Sequence, residues 1–448
     1  MNAITIAFLV VNGLGLLTLS HRWAALPLLT SALYMTIGTA FELGPFNFSA
    51  IRVLVAIGAL RVLIRGELKL LRMNGLDWLL VMWATWALIS SLFHEDKTGT
   101  FVNRLGLVYN ACGIYFLLRV FCQSFDDLLM LCRITAILLV PMSLAMLWEA
   151  HSGYNLFSVL GGVDAASEIR NDIIRAQGPF SHSILAGSIG AGSLPLMIGL
   201  WRQCHKSSIA GILACLSMIA ASASSGPIMS GLLGIGALLM WPFRQHMRLF
   251  RWAAFLGYIA LDLAMKAPAY YILARIDLTG GSTSWHRAAL IEAALHHLSE
   301  WWFVGTDHTR HWLPYGVPWS GNHADITNYY IMMGVTGGLP LMLLFIALLA
   351  KGFAFVGRWL YQSEQENGLM LSKFMIWALG ASLFSHAATF VSVSYFDQSV
   401  VFLYLTLAAI CSVSTPNVVS NLSASVPANS IILPQRAGNW SKSRANHT

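Results

Sequence analysis

Arg175, Arg287 and His323 are the residues whose types and surroundings could do chemistry, because each falls close to where the sequence reads as the start of a helix. Arg175 opens Arg-Ala-Gln-Gly178-Pro179, after which the chain turns apolar. Pro179 suits a first helical turn, since its missing N–H would be unpaired there. Arg287 follows Gly280-Gly-Ser-Thr-Ser284-Trp285-His286, with Ser284 as the expected cap and Arg287 in the first turn. His323 lies in Gly321-Asn-His-Ala-Asp325-Ile-Thr327-Asn328, where Asp325 or Thr327 is the expected cap of the next apolar helix. Helix N-termini carry unpaired N–H groups and about half a positive charge, so anions bind there. Two such ends, each with a guanidinium, would hold a diphosphate by forked hydrogen bonds. A neutral imidazole nearby would take the proton of an attacking hydroxyl. The implied chemistry is displacement of a lipid pyrophosphate by a sugar hydroxyl, with Asp325, Asn328 and Trp285 as supporting residues.

The elements that must position these groups are membrane helices. Hydrophobic residues make up 56% of the 448 and charged residues only 10%, a balance far from that of a soluble domain. Apolar runs near the length of a bilayer crossing recur at 3–20, 23–41, 49–64, 77–93, 105–121, 128–148, 179–201, 208–222, 226–243, 251–265, 328–350, 371–391 and 397–413. These predict an all-α, polytopic integral membrane protein of about 12–13 transmembrane helices. The N-terminus has no basic flank or cleavage site before His21 and Arg22, so it reads as a retained first span.

Lys and Arg set the orientation. Basic residues cluster in alternate loops, at Arg22, at 61–72, Arg119/Arg133, Arg202/Lys206, 244–251, 351–373 and in the tail, which places about 18 of the 27 inside the cell. The N-terminus is then outside and the C-terminus inside. The net charge of +7 follows from this topology and an acidic lipid surface, the phospholipid bilayer being the partner, so it gives no argument for nucleic acid. The chain divides into N-terminal transmembrane helices (1–148), an outer loop with the first arginine (149–178), central helices (179–265), a large outer loop (266–327), C-terminal helices (328–413) and a disordered cytoplasmic tail (414–448). Within the large loop, Ile291, Leu295, Leu298 and Trp302 recur at helical spacing and predict an amphipathic helix on the outer surface. The six cysteines have no metal-type spacing, so neither disulfide nor structural zinc is expected.

The block from Trp285 to Leu341 contains Arg287, Trp302-Phe-Val-Gly305, Asn322-His323, Asn328-Tyr-Tyr-Ile and Gly334-Val-Thr-Gly337-Gly-Leu-Pro-Leu. With the upstream Arg175-Ala-Gln-Gly-Pro-Phe-Ser-His-Ser-Ile-Leu-Ala-Gly, it resembles the O-antigen ligase and O-antigen polymerase family of bacterial membrane glycosyltransferases. The resemblance covers roughly 165–350, the remaining spans matching in hydropathy alone. It implies a multi-pass enzyme of the bacterial inner membrane, its site facing the periplasm. Such an enzyme moves a glycan from an undecaprenyl-pyrophosphate donor to a glycan or lipid A-core acceptor, with no cofactor and no required metal. Arg175 and Arg287 would then hold the pyrophosphate, and His323 would activate the acceptor hydroxyl. Where the family often carries Ser-Arg-Gly, this chain has Ala223-Ser-Ser-Gly-Pro227, without the arginine.

Other readings stand beside this one. Glu95-Asp96 would be the acid pair of a metal-dependent transferase, and His308, His311, His323 and Asp325 a zinc set. A lipid-linked glycan flippase would place polar residues at mid-membrane depth, where Asp262 and Lys266 are the nearest cases. Trp285, Trp301, Trp302, Trp312 and Trp319 read as an interfacial belt, and Ser222–Ser225 as a site of close helix packing.

Overall fold

The computed structural model describes residues 2–36, 40–44, 46–275, 284–314, 316–317, 320–365 and 370–413. The expected disordered tail (414–448), residues Gly280–Thr283 and Trp319 lie outside them. Each apolar run contains an α-helix. In chain order these are α1 (Ala3–Thr18), α2 (Leu26–Tyr34), α3 (Ala50–Ile64), α4 (Gly75–Ser90), α5 (Lys97–Phe121), α6 (Phe125–Ser152), α7 (Ser183–Gly199), α8 (His205–Ala221), α9 (Ser225–Leu239) and α10 (Met247–Ala264). The short α11 (Ile272–Arg275), α12 (Ser284–His296) and α13 (Leu298–Trp301) follow, and then α14 (Tyr329–Gln365), α15 (Met370–Thr389) and α16 (Val400–Val413). Among the described residues, five helices are long and apolar enough to cross a membrane, or six if α9 and the bent segment after it form one span. Among the described residues the helices are joined by short antiparallel hairpins: β1 (Ala40–Leu43) with β2 (Phe46–Ser49), β3 (Glu168–Arg170) with β4 (Ile173–Arg175), and β5 (Gly316–Val317) with β6 (Ser320–Ala324).

Helix α7 is the centre of the bundle, with 89% of its apolar window buried. Its sequence explains this position: Ala186-Gly-Ser-Ile-Gly-Ala-Gly-Ser193 presents small residues on every face, so α8, α9 and α15 can pack close to its backbone. A methyl group on Gly187 would stand 2.4 Å from the Ser222 hydroxyl, so the serine-rich turn is a close-packing point, as expected. One buried charge in the bundle, Asp77, is paired with a cation. Asp77 closes a capping box on α4 with Asn74 and accepts hydrogen bonds from Arg119 and Tyr115.

A second layer, formed by α12, α13, β6 and the start of α14, has its own core, built from Leu290, Ala294, Trp301, Trp312, Ala324 and Val335 among others. The expected stripe of the amphipathic helix is split, with Ile291 and Leu298 packed against this core and Leu295 and Trp302 turned away from it. Ala288, Leu290 and Ala294 point inward, while Leu295 is 57% and Trp302 54% exposed. The predicted stripe assumed one helix through Trp302, but α12 ends at His296 and the chain turns at His297 before α13. The belt reading fails for Trp301 and Trp312, which are buried with their indole N–H groups bonded to Ala294 O and Glu300 Oε2.

A seam of backbone joins this layer to the bundle. Thr306 N donates to Val335 O at 3.0 Å and Leu339 N to Trp302 O at 2.7 Å, across a break in α14 where Gly337 and Gly338 leave helical geometry. Trp86 Nε1 takes up the Gly337 carbonyl that the break frees. Gly305 and Gly338 have φ of +93° and +76°, and a Cβ on either would stand 2.2 Å or less from a facing carbonyl oxygen.

Candidate functional site

Arg175 ends β4, eight positions before α7 begins at Ser183, so Pro179 lies in a turn rather than in the first turn of the helix. The physical reason is a set of long-range bonds that hold Arg175-Ala-Gln-Gly178 in an extended path. Ala176 N donates to Ala221 O at 3.0 Å. The Glu149 carboxylate, buried at the end of α6, accepts from Gln177 N at 3.0 Å, Gly178 N at 2.8 Å and Ser167 Oγ at 3.1 Å. Asn155 Nδ2 donates to Gly178 O at 2.7 Å, and Gln398 Nε2 to Pro179 O at 3.2 Å.

So held, Arg175 does not serve the helix that follows it in sequence. Its Nη2 donates to Ser224 Oγ at 2.8 Å, at the N-terminus of α9, and its Nη1 donates to Glu168 Oε1 at 2.7 Å. Arg175 is 7% exposed and its Nε has no hydrogen-bond partner among the described residues. Ser224 turns its own hydroxyl to Ser222 O at 2.8 Å and makes no side-chain cap on α9. The chain reaches this point through Ala223, whose φ of +44° makes the tight turn out of α8.

Arg287 lies in the first turn of α12, as expected, and is partly buried. The Ser284 side chain lies outside the described residues. A methyl group on Gly226 would stand 3.8 Å from Arg287 Nη2 and 3.4 Å from Ser392 Oγ. Both guanidinium groups therefore converge on the start of α9, Arg175 at residue 224 and Arg287 at residue 226, Cα atoms at most about 7 Å apart. The start of α9, which has no side-chain cap, has two guanidinium groups beside it, that of Arg175 paired with the Glu168 carboxylate.

His323 occupies β6, within this second layer, and not a helix entrance. The cap of α14 is neither Asp325 nor Thr327 but Asn328, whose Oδ1 accepts from Tyr330 N at 3.0 Å and Ile331 N at 3.1 Å. Asp325 is exposed, and its carbonyl accepts from His286 Nε2 at 3.1 Å, which ties the His323 segment to the residue beside Arg287. Burial lowers the His323 pKa below the usual imidazole value, with His308 and Arg104 acting in the same direction and Asp307 opposing them. The direction matches the expectation of a neutral imidazole, but burial comes first among its causes. Asp307 is in turn 2.7 Å from His94 Nδ1 and accepts from Glu95 N at 3.2 Å. Trp285 is half exposed and stands edge-on to His286.

The rival clusters come apart. Glu95 pairs with His308 at 3.0 Å, while Asp96 accepts from Gly99 N to cap α5. The expected zinc set is divided as well, because His308 faces Glu95 whereas His311 faces Glu300 at 2.9 Å. Asp262 accepts from Ala269 N at 2.7 Å, which fixes the turn after α10. Glu149 and Glu168 escaped the sequence reading and Ser224 was read only as a packing residue, since their partners are 7 to 49 positions away. The one available signal was Glu149 itself, a single acid directly following an apolar run.

No family model matches the chain, and no curated protein matches it.

Proposed function

We propose that the chain is a multi-pass glycosyltransferase of the bacterial inner membrane, of the O-antigen ligase or polymerase type, which acts on the outer face. It moves a glycan from an undecaprenyl-pyrophosphate carrier to an acceptor sugar hydroxyl. The observation that carries this reading is the convergence of Arg175 and Arg287 on the start of α9. A diphosphate is the group such a site suits, because it offers oxygens to both guanidinium forks and to the first-turn N–H groups. The segment resemblance names the same two arginines, and the five or six described helices long and apolar enough to cross a membrane support a multi-pass protein.

In the proposed reaction the acceptor oxygen bonds to the anomeric carbon while that carbon's bond to the pyrophosphate oxygen breaks. The hydroxyl proton passes to neutral His323, and undecaprenyl pyrophosphate leaves with its growing negative charge on Arg175 and Arg287. Transition-state charge develops on the leaving oxygens, so the arginines matter more to turnover than to resting affinity.

The test uses purified protein in lipid nanodiscs with an undecaprenyl-pyrophosphate glycan and an acceptor. Release of undecaprenyl pyrophosphate together with elongated or ligated acceptor is the expected outcome. Arg175→Ala and Arg287→Ala should each lower the rate more than about 100-fold, equivalent to about 3 kcal/mol of transition-state stabilisation. Near-normal product from both variants would remove the clamp, and lipid scrambling without product would identify a transporter instead.

A further inference from the structure

We propose that His297, Glu300 and His311 form a binding site for one divalent transition-metal ion of the zinc class, which fastens the end of the Arg287 helix to the segment bonded to the His323 strand. The ligand atoms of the three residues lie within 4.8 Å of one another. His297 Nδ1 is 2.7 Å from Glu300 Oε1, and His311 Nε2 is 2.9 Å from Oε2 and 3.2 Å from Oε1. Around tetrahedral zinc, donor atoms bound at about 2.0–2.2 Å stand about 3.3 Å apart, so the ion enters with sub-ångström to ångström shifts of the three side chains.

The surroundings fix the orientation of these ligands. Trp312 Nε1 donates to Glu300 Oε2 at 3.0 Å, the kind of outer bond that sets a ligating carboxylate. The His297 ring stacks on Trp312 with centroids 5.7 Å apart and planes 6° from parallel, and His311 meets His297 edge-on at 4.8 Å. Trp312 is buried in the core of the second layer, so its indole is a rigid base for both contacts. Two imidazoles and one carboxylate select zinc, cobalt, nickel or copper over magnesium and calcium, which prefer all-oxygen shells. The exposed side of the cluster leaves a fourth position for water or a further ligand.

The ion would join three segments of the chain. His297 follows directly on α12, Glu300 belongs to α13, and His311 lies in the turn Arg310–Trp312. That turn connects to β6 through Thr309 N to Asn322 O and Ala324 N to Thr309 Oγ1, both 2.9 Å, one residue on either side of His323. The site stands apart from the two arginines, and its test reads metal binding rather than transfer.

The experiment titrates chelator-stripped full-length protein in nanodiscs with Zn²⁺ by calorimetry, and follows proteolysis between residues 297 and 314. One saturable Zn²⁺ per chain is expected, with slower cleavage of that segment on binding and no response to Mg²⁺. Glu300→Gln and His311→Ala should each weaken Zn²⁺ by at least about 10-fold, whereas His308→Ala, on the neighbouring Glu95 pair, should not. His297→Gln gives the same reading should either variant fail to fold. Absence of saturable Zn²⁺ in the parent protein would overturn the proposal, as would equal Zn²⁺ affinity in the ligand variants, which would mark a plain ion-pair cluster.

Discussion

Arg175 is engaged by two groups of different character, an exposed carboxylate and a helix-start hydroxyl, while its own Nε has no partner among the described residues. Removing only the Ser224 hydroxyl is therefore a finer probe than removing the arginine. Ser224→Ala should loosen Arg175 and lower transfer roughly 10-fold, since a hydrogen bond to a charged group contributes about 1.5–3 kcal/mol, part of which the ligand replaces. Arg175→Lys should recover little, because an ammonium cannot reproduce the fork that reaches Glu168 and Ser224 together. At His323 the sign is set by a lowered pKa: the neutral form persists to lower pH than for a free imidazole, and protonation abolishes base function. The rate should therefore fall at a lower pH than a free imidazole would impose, and His323→Gln should lose activity at every pH. A pH profile unchanged by that substitution would remove His323 as base. The arginines could be found from sequence because each stands at a change from polar to apolar chain. Their shared destination on α9 could not, because no local pattern reports that residue 175 meets residue 224 and residue 287 meets residue 226.

At the scale of elements, the apolar runs predicted helices well because a bilayer admits hardly any other spanning structure. What escaped was the ends. Pro179 was expected inside a helix, yet the Glu149 carboxylate takes the two N–H groups just before it and delays the helix to Ser183. Likewise Asn328 outcompetes Asp325 as cap because its amide also donates to Val391 O at 3.1 Å, giving it a second partner. The break in α14 was equally hidden, since Gly337-Gly338 sits within a continuous apolar run and its cause is the distant segment 302–306. That seam makes a direct prediction. Gly338→Ala places a Cβ 2.0 Å from Phe303 O at a left-handed φ, so it should lower the thermal midpoint in nanodiscs by several degrees, at a cost of at least about 1–3 kcal/mol. Gly236→Ala, where a Cβ meets nothing within 4 Å, should be neutral or slightly stabilising. Equal melting of the two variants would mean that the seam yields.

For the whole molecule, the partition of charge predicts a topology that can be read by labelling. In a background with the six cysteines replaced, a single cysteine at Glu168 or Ser320 should react with an impermeant thiol reagent added outside intact cells. One at Arg248 should react only after the membrane is opened. The opposite pattern would put the arginine site on the wrong side for a carrier presented outside. Helix α10 stands apart in this plan. It follows a bend of 78° after α9, and none of its residues is buried, with Leu249, Trp252, Leu256 and Leu263 all more than half exposed. An 18-residue helix without a packed face is marginal in water, and with lipid around it the expectation is that α10 owes its order to that lipid more than to the rest of the protein. Stripping the lipid should therefore uncouple this segment from the bundle. Amide hydrogens of α10 should exchange orders of magnitude faster in lipid-depleted detergent than in nanodiscs, while those of α7 keep the protection of the global fold in both.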